Sequence, residues 1–294
     1  MSDTILVTGA SGHLGGAIIR HLLESQGVAP ARIIAGTRDP AKLADLAAKG
    51  VIVRKVDFDD TDLDKSLAGA DTVMIVSTDA LDGAGTRLRQ HKAAVVAAKK
   101  AGAKRIGYAS LPNADTSKVS FAPDHLGSEE AIKATGLPYL IFRNNWYSEN
   151  LFMSLPQALK SGQWYTSAAE GRTAFVARDD IAAAIAGALA NPPASSITYT
   201  LTGAEALTND QVAALASDIL GKPIQVVHLT DEQLAGGMKA AGVPEAYIPT
   251  FVSFDVATRT GGLATVTSDV ENLSGRKPQP LSAFLTENKT AFGA

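Results

Sequence analysis

The sequence predicts an α/β fold: a doubly wound parallel sheet followed by a smaller C-terminal α/β cap. Three observations predict it. Short apolar runs rich in Ile and Val recur through the first 144 residues, most of them trailed by a segment with helical spacing. Strands that alternate with helices in this way build a parallel sheet covered on both faces. The first run, Ile5-Leu6-Val7, passes straight into Thr8-Gly-Ala-Ser-Gly-His-Leu-Gly-Gly16, a glycine turn that opens a helix. After residue 110 the alternation loosens, yet no Gly/Ser-rich or Pro-rich linker, low-complexity segment or repeat intervenes. The second half is therefore expected as a cap over residues 145–294, interleaved with a first domain over 1–144.

The elements follow in order. The first strand covers 4–8 and the first helix 13–25, where Leu14, Ile18 and Leu22 recur every fourth residue. A second strand, 32–37, ends at Arg38-Asp39-Pro40, and proline suits the first turn of the Ala/Leu-rich helix at 41–49. The third strand, 51–56, runs into Asp57-Phe58 and a short helix at 62–68; the fourth, 72–76, precedes a long helix at 86–101. Strands at 105–108 and 139–143 bracket a polar loop, 111–123, and a helix at 124–135. Right-handed crossovers make this a doubly wound sheet. Beyond it, helices are expected at 150–160, 179–190, 208–220 and 230–241, with short strands at 173–176, 197–201 and 223–228.

Composition narrows the chemistry. The chain has 294 residues, 46% hydrophobic, enough for a sizeable core. Net charge is -3 with no basic stripe, so nucleic acid is not an expected partner. There is no cysteine, hence no disulfide or thiolate chemistry. The five histidines never fall at ligand spacing, and no metal is expected. Neither a signal-like N-terminus nor a membrane-length apolar run is visible, so a cytoplasmic protein is expected. Ala93, Ala94, Ala97, Ala98 and Ala101 give the long helix a small-residue side, read either as a homodimer face or as the side lying on the sheet.

The glycine turn carries the strongest functional signal. Gly9, Gly12 and Gly15 stand in G-x-x-G-x-x-G spacing between strand and helix. A phosphate approaches backbone closely only where no Cβ intervenes, and a helix N-terminus attracts its charge. Gly9, Ala10, Ser11, Gly12, His13 and Leu14 are thus expected to hold a dinucleotide pyrophosphate. Arg38, at the end of the second strand, suits the 2′-phosphate of NADP(H), although Asp39 takes the acidic, NAD-type role if the register slips by one. Asp57 and Phe58 either meet adenine or, in the case of Asp57, cap the next helix. Ser77 and Thr78 end the fourth strand, where ligands of such sheets bind.

Candidate catalytic groups lie further on. Ser110 closes the fifth strand, in a position where short-chain dehydrogenases carry a serine, but no tyrosine here is followed four residues later by lysine. Chemistry through a tyrosine–lysine pair is therefore not supported. His125 starts a helix with Glu129 one turn on, either as a proton donor oriented by a carboxylate or as a packed histidine with a routine i,i+4 pair. Asn144, Asn145, Trp146 and Tyr147 follow the sixth strand and suit a nicotinamide carboxamide and a flat substrate; plain domain packing is the commoner use of such aromatics.

T-G-A-S-G-H-L-G at 8–15, Arg38, Y-A-S-L at 108–111, His125 with Glu129, L-P-Y at 137–139, R-N-N-W-Y-S-E-N at 143–150 and N-L-S-G-R-K-P at 272–278 together resemble the NmrA-like atypical short-chain dehydrogenase/reductases. Within them the likeness is to the bacterial type 2 NAD(P)H:quinone oxidoreductases and triphenylmethane reductases, over nearly the whole chain. The resemblance implies a Rossmann-type NADP-binding domain and a substrate-binding cap. It places the pyrophosphate on Gly9 to Leu14, the 2′-phosphate on Arg38, the nicotinamide-side ribose on Ser77 and Thr78, and nicotinamide beside Asn144 to Trp146. His125 stands where isoflavone-reductase-like relatives carry a catalytic lysine. Asn145 replaces a family glycine, and the 79–86 loop is unusually glycine-rich. The implied activity is NADPH-dependent hydride transfer to a quinone-like acceptor, needing no flavin; the rival is a non-catalytic NAD(P)-sensing regulator. No G-x-S-x-G elbow supports a hydrolase.

Overall fold

The structure, a computed structural model, describes residues 3–82 and 84–293; residue 83, inside the glycine-rich 79–86 loop, lies outside them. Eleven strands are described: β1 (Ile5–Val7), β2 (Ile33–Thr37), β3 (Ile52–Lys55), β4 (Thr72–Ile75), β5 (Arg105–Ser110), β6 (Tyr139–Asn144), β7 (Gln163–Thr166), β8 (Arg172–Thr173), β9 (Ile197–Leu201), β10 (Leu207–Thr208) and β11 (Gln225–His228). The helices of the first half are α1 (His13–Glu24), α2 (Ala44–Ala48), α3 (Leu63–Leu67), α4 (Thr86–Lys100) and α5 (Ala122–Ala134). Those of the second half are α6 (Leu155–Ser161), α7 (Arg178–Ala190), α8 (Asn209–Leu220), α9 (Asp231–Ala240), α10 (Ile248–Arg259), α11 (Asp269–Ser274) and α12 (Leu281–Glu287).

The main sheet has seven parallel strands in the order β3-β2-β1-β4-β5-β6-β9. This is the doubly wound Rossmann-type arrangement, with its reversal of strand order between β1 and β4. Strands β1, β2 and β4 are buried along their whole length, which is why they read as continuous apolar runs rather than alternating ones. One face packs Ile18, Ile19 and Leu22 of α1 against Ile181 and Ile185 of α7. The other packs Leu63 and Leu67 of α3 against Ala94, Val95 and Ala98 of α4 and Ile132 of α5. The alanines of α4 are thus the side lying on the sheet.

The second half does not stand apart. Helix α7, strand β9 and helix α11 return to the main sheet, where β9 extends β6 and Val270 joins the α1/α7 core. What remains forms a cap around its own core of Leu151, Leu155, Phe175, Val212, Phe284 and Leu285. Two expected elements differ. The 150–160 helix breaks at Ser154 into a 3₁₀ turn (Ser148–Met153) and α6, because Pro156 has no N–H to continue the ladder. The 173–176 strand is only β8 plus a single bridge from Val176 to Tyr147, since Ala174 donates to Leu263 O instead. Among the described residues no helix is long and apolar enough to cross a membrane.

Candidate active site

The site begins with how the chain leaves β1. Gly9 adopts φ +61°, a left-handed conformation that favours glycine. The turn is pinned on both sides: Val76 N donates to Thr8 Oγ1 at 2.9 Å, and Ala10 N donates to Gly36 O at 2.9 Å. Gly15 lets α1 sit directly on the turn, since a Cβ there would stand 2.3 Å from Gly9 O. No side chain caps the N-terminus of α1, and its first turn holds no acid. Its amide donors are available to an anion from outside.

This turn floors a cleft of about 520 Å³ along the carboxyl ends of the strands. Gly9, Gly12, His13 and Leu14 line it centrally, Arg38, Asp57 and Phe58 on the β2/β3 side, and Ser77 and Thr78 on the β4 side. Tyr147, Arg87 and Arg178 close its inner end. Asp39 is not a rival to Arg38 here: its carboxylate caps the following 3₁₀ turn, accepting from Ala41 N at 3.2 Å. Asp57 caps no helix either, because Oδ1 accepts from Asp59 N at 3.1 Å and Asp62 is the N-cap of α3. Ala10 is buried beneath the turn, and the Ser11 hydroxyl bonds Thr37 Oγ1 at 2.8 Å.

Several expected residues lie elsewhere. Ser110 shares a face of β5 with Tyr108 and donates to Glu129 Oε1 at 2.7 Å, outside the cleft lining. The expected His125–Glu129 pair does not form. Glu129 is fully buried and receives Arg143 through Nε at 3.0 Å and Nη2 at 2.9 Å; a buried carboxylate is best compensated by such a bidentate guanidinium. Asn145 is spent on the cap, donating to Leu263 O at 3.1 Å and accepting from Trp146 N at 2.8 Å. Trp146 and Tyr147 part company. Tyr147 faces the cleft, with Arg178 5.1 Å over its ring. Trp146 lines a second cavity, about 540 Å³, walled by Trp164, Phe251 and Phe254 of the cap. Asn144 is buried beside Tyr147 Oη at 3.4 Å, and its Oδ1 has no partner.

Behind the inner end lies a buried polar cluster that sequence reading missed. Thr78 N donates to His91 Nε2 at 3.0 Å, which puts the His91 proton on Nδ1, beside Ser128 Oγ at 2.9 Å. Arg87 Nη2 donates to His125 Nε2 at 3.2 Å, so His125 Nδ1 donates to Tyr108 Oη at 2.8 Å. Burial, and then the Arg87 guanidinium, drives His91 down to about 3. The same causes, in the same order, hold His125 well below the ordinary imidazole range. Burial also raises the Tyr108 and Tyr147 phenols. At neutral pH both imidazoles are uncharged, and His125 serves as a rest for Arg87 rather than as an imidazolium acid. The signal existed: Arg87 and His91 fall four residues apart on the same stripe of α4 as the buried Ala94 and Ala98. In the run T-R-L-R-Q-H-K, however, they read as solvated surface.

A family model described as the NmrA-like family matches residues 1–285. The chain belongs to the NmrA-like family. Among its curated relatives, quinone oxidoreductase 2 of Escherichia coli is 34% identical over 279 residues, covering 95% of this chain and 96% of that one. An NAD(P)H azoreductase of Xenophilus azovorans is 28% identical, covering 99% of each. The fold matches the crystal structure of the Escherichia coli NADPH-dependent quinone oxidoreductase complexed with NADPH, with a TM-score of 0.90, 32% identity and 99% and 100% of the two chains covered. It also matches the Citrobacter sp. triphenylmethane reductase complexed with NADP(H), with a TM-score of 0.88, 31% identity and 97% and 99% covered. The overall fold described above is thus shared with both of these solved structures.

Proposed function

We infer that the protein is an NADPH-dependent oxidoreductase that passes hydride directly to a flat, electron-poor acceptor such as a quinone. The observation that carries this reading is one continuous cleft with two unlike ends. At the outer end stands Arg38, which has no carboxylate partner among the described residues. At the inner end stand the Tyr147 phenol and the Arg87 guanidinium, and from Arg87 a run of rings leads to the aromatic cavity of the cap: Arg87 lies 4.9 Å over Phe121, Phe121 is 6.1 Å from Phe254, and Phe254 is 4.7 Å from Trp146. The residues present fit a dinucleotide. Gly9, Gly12 and Gly15 leave the turn without a Cβ at every third position, the N-terminus of α1 is uncapped, and Asn144 Oδ1 is a buried acceptor without a donor. Gly9 to Leu14 would hold the pyrophosphate, Arg38 the 2′-phosphate, Ser77 and Thr78 the nicotinamide-side ribose, and Asn144 the carboxamide.

The bound cofactor supplies the hydride, so no flavin is required. Tyr147 stays protonated because burial raises its phenol, and it offers an O–H to the acceptor. Ordered aromatic walls exclude water and orient a flat ring. The wall linking Phe121 to Trp146 makes a ring-shaped acceptor a better fit than an aliphatic one. An azoreductase and a triphenylmethane reductase among the relatives act, by their names, on azo compounds and triphenylmethane dyes. The test has two parts. NADPH raises the unfolding midpoint well above NADH in the wild-type protein, and Arg38→Ala brings the two shifts together. Loss of charge-assisted bonds of this kind corresponds to roughly 10–100-fold in NADPH affinity. A panel of quinones then gives acceptor-dependent loss of NADPH absorbance. Midpoint shifts without turnover on any acceptor would instead favour a cofactor-sensing regulator.

A further inference from the structure

We propose that Arg87 selects the acceptor by charge: it receives the oxygen that becomes anionic on reduction, so the site takes oxyanion-forming or anionic acceptors and turns away cationic ones. This rests on the reductase reading above and names the substrate class of that same site. Arg87 is 8% exposed and lines the cleft. Burial lowers its pKa, yet a guanidinium stays charged in proteins. Among the described residues it forms no ion pair; its one hydrogen bond goes to the neutral imidazole of His125, and its Nε is buried without a partner. Asp79 and Asp124 act on it only through space.

A buried cation lacking a counter-charge is a costly arrangement that the fold keeps only if something compensates it. In the reading above the cofactor phosphates are held by the glycine turn and Arg38, which line the same cleft, and not by Arg87. The counter-charge comes instead from the acceptor. A quinone that takes up hydride from reduced nicotinamide becomes a hydroquinone monoanion; the cofactor leaves as NADP⁺, and a proton from solvent completes the hydroquinone. Donors already aimed at a developing oxyanion lower the barrier without reorganising. Arg87 is held for this from two directions, by His125 behind it and by the Phe121 ring 4.9 Å below it. His125 is in turn held by Tyr108, and the neighbouring His91 is tied to Thr78, so the guanidinium cannot swing away.

The experiment compares acceptors of one ring system and different charge: a neutral naphthoquinone, its sulfonate and its trimethylammonium derivative. In the wild-type protein kcat/KM falls in that order of charge, anionic or neutral first and cationic last by at least tenfold. Arg87→Met lowers kcat for the neutral quinone by about 100-fold, while the NADPH-dependent midpoint shift is kept. Arg87→Lys recovers part of that loss. With NADP⁺ bound, a naphthalenesulfonate that cannot be reduced binds at least tenfold more weakly to Arg87→Met than to wild type. The proposal is overturned if the cationic naphthoquinone is the best wild-type acceptor, or if Arg87→Met loses NADPH affinity while sparing quinone turnover, which would give the guanidinium to the cofactor. If Arg87→Met does not fold, the wild-type charge series decides alone. A wild-type protein that binds NADPH and reduces none of the three fails the reductase reading itself and takes this inference with it.

Discussion

The cofactor cleft and the cap cavity are of nearly equal size, about 520 and 540 Å³, and are built on opposite principles. The cleft is floored by backbone: a glycine turn, an uncapped helix end and strand termini, with two guanidiniums, Arg38 and Arg87, that lack carboxylate partners among the described residues. The cavity is walled by side chains, Trp146, Trp164, Phe251 and Phe254, drawn from separate elements. Its buried carboxylate, Asp255, is already satisfied by Thr166 Oγ1 at 2.8 Å and Ser167 N at 2.6 Å. The difference teaches where specificity resides. Backbone recognition depends on the path of the main chain and is little changed by substitution. Side-chain walls change by substitution without disturbing the sheet, so ligand shape is more readily varied there.

The largest effect should come from breaking the backbone side. In Gly15→Ala the new Cβ meets Gly9 O at 2.3 Å, Gly9 C at 2.7 Å and Thr8 O at 2.9 Å, all main-chain atoms that cannot rotate away. The helix must lift off the turn. We expect a cost of about 3 kcal/mol or more, as for severe overpacking, together with loss of the NADPH-dependent rise in unfolding midpoint. Retention of that rise would mean that the cradle tolerates side chains after all. The corresponding break in the cavity is Phe254→Ala, which removes a ring touching Trp146, Phe121 and Phe251. We expect roughly 2–3 kcal/mol lost, since the ring is only half-buried, and an acceptor KM raised about tenfold. NADPH affinity, measured by titration, should stay within about twofold of wild type. An equal fall in both affinities would join the two regions into one site.

The same contrast explains what was legible in the sequence. The cradle occupies nine consecutive residues, 8–16, so spacing alone disclosed it. Arg38 and Ser77 follow the buried strands β2 and β4 and Asp57 follows the edge strand β3; all three line the cleft because strand ends converge in a doubly wound sheet. The cap wall was not legible, because Trp146, Trp164 and Phe254 meet only through tertiary packing. Helix α10, which supplies Phe251 and Phe254, is partly buried on many sides and shows no clean stripe. Local reasoning also mispaired His125 with Glu129. Both lie four residues apart on α5, but their partners, Tyr108 and Arg143, come from β5 and β6. Sequence spacing gives the possible pair, and burial decides which partner wins.

Acid titration sharpens the comparison, because the two regions carry buried groups shifted in opposite directions. On the cleft side His91 and His125 are depressed, chiefly by burial, His91 to about 3. Unfolded, each titrates near 6.5, so below that pH the unfolded chain binds protons that the folded chain refuses. Their contribution is fully present above about 6.5 and is lost as pH falls from there toward 3. Between pH 7 and 5 this removes about 2 kcal/mol for His91, and His125 acts in the same direction. In the cap, burial raises Asp255 above the usual carboxylate range, so its penalty at neutral pH is relieved on acidification. The cap therefore gains slightly where the cleft side loses. We expect the unfolding midpoint of the wild-type protein to fall by several degrees from pH 7 to pH 5. His91→Gln keeps an acceptor for Thr78 N and removes one of the two titrations, so it should make that slope clearly shallower. An unchanged slope would place the acid sensitivity outside the buried cluster, and would leave the cleft and the cap electrostatically alike.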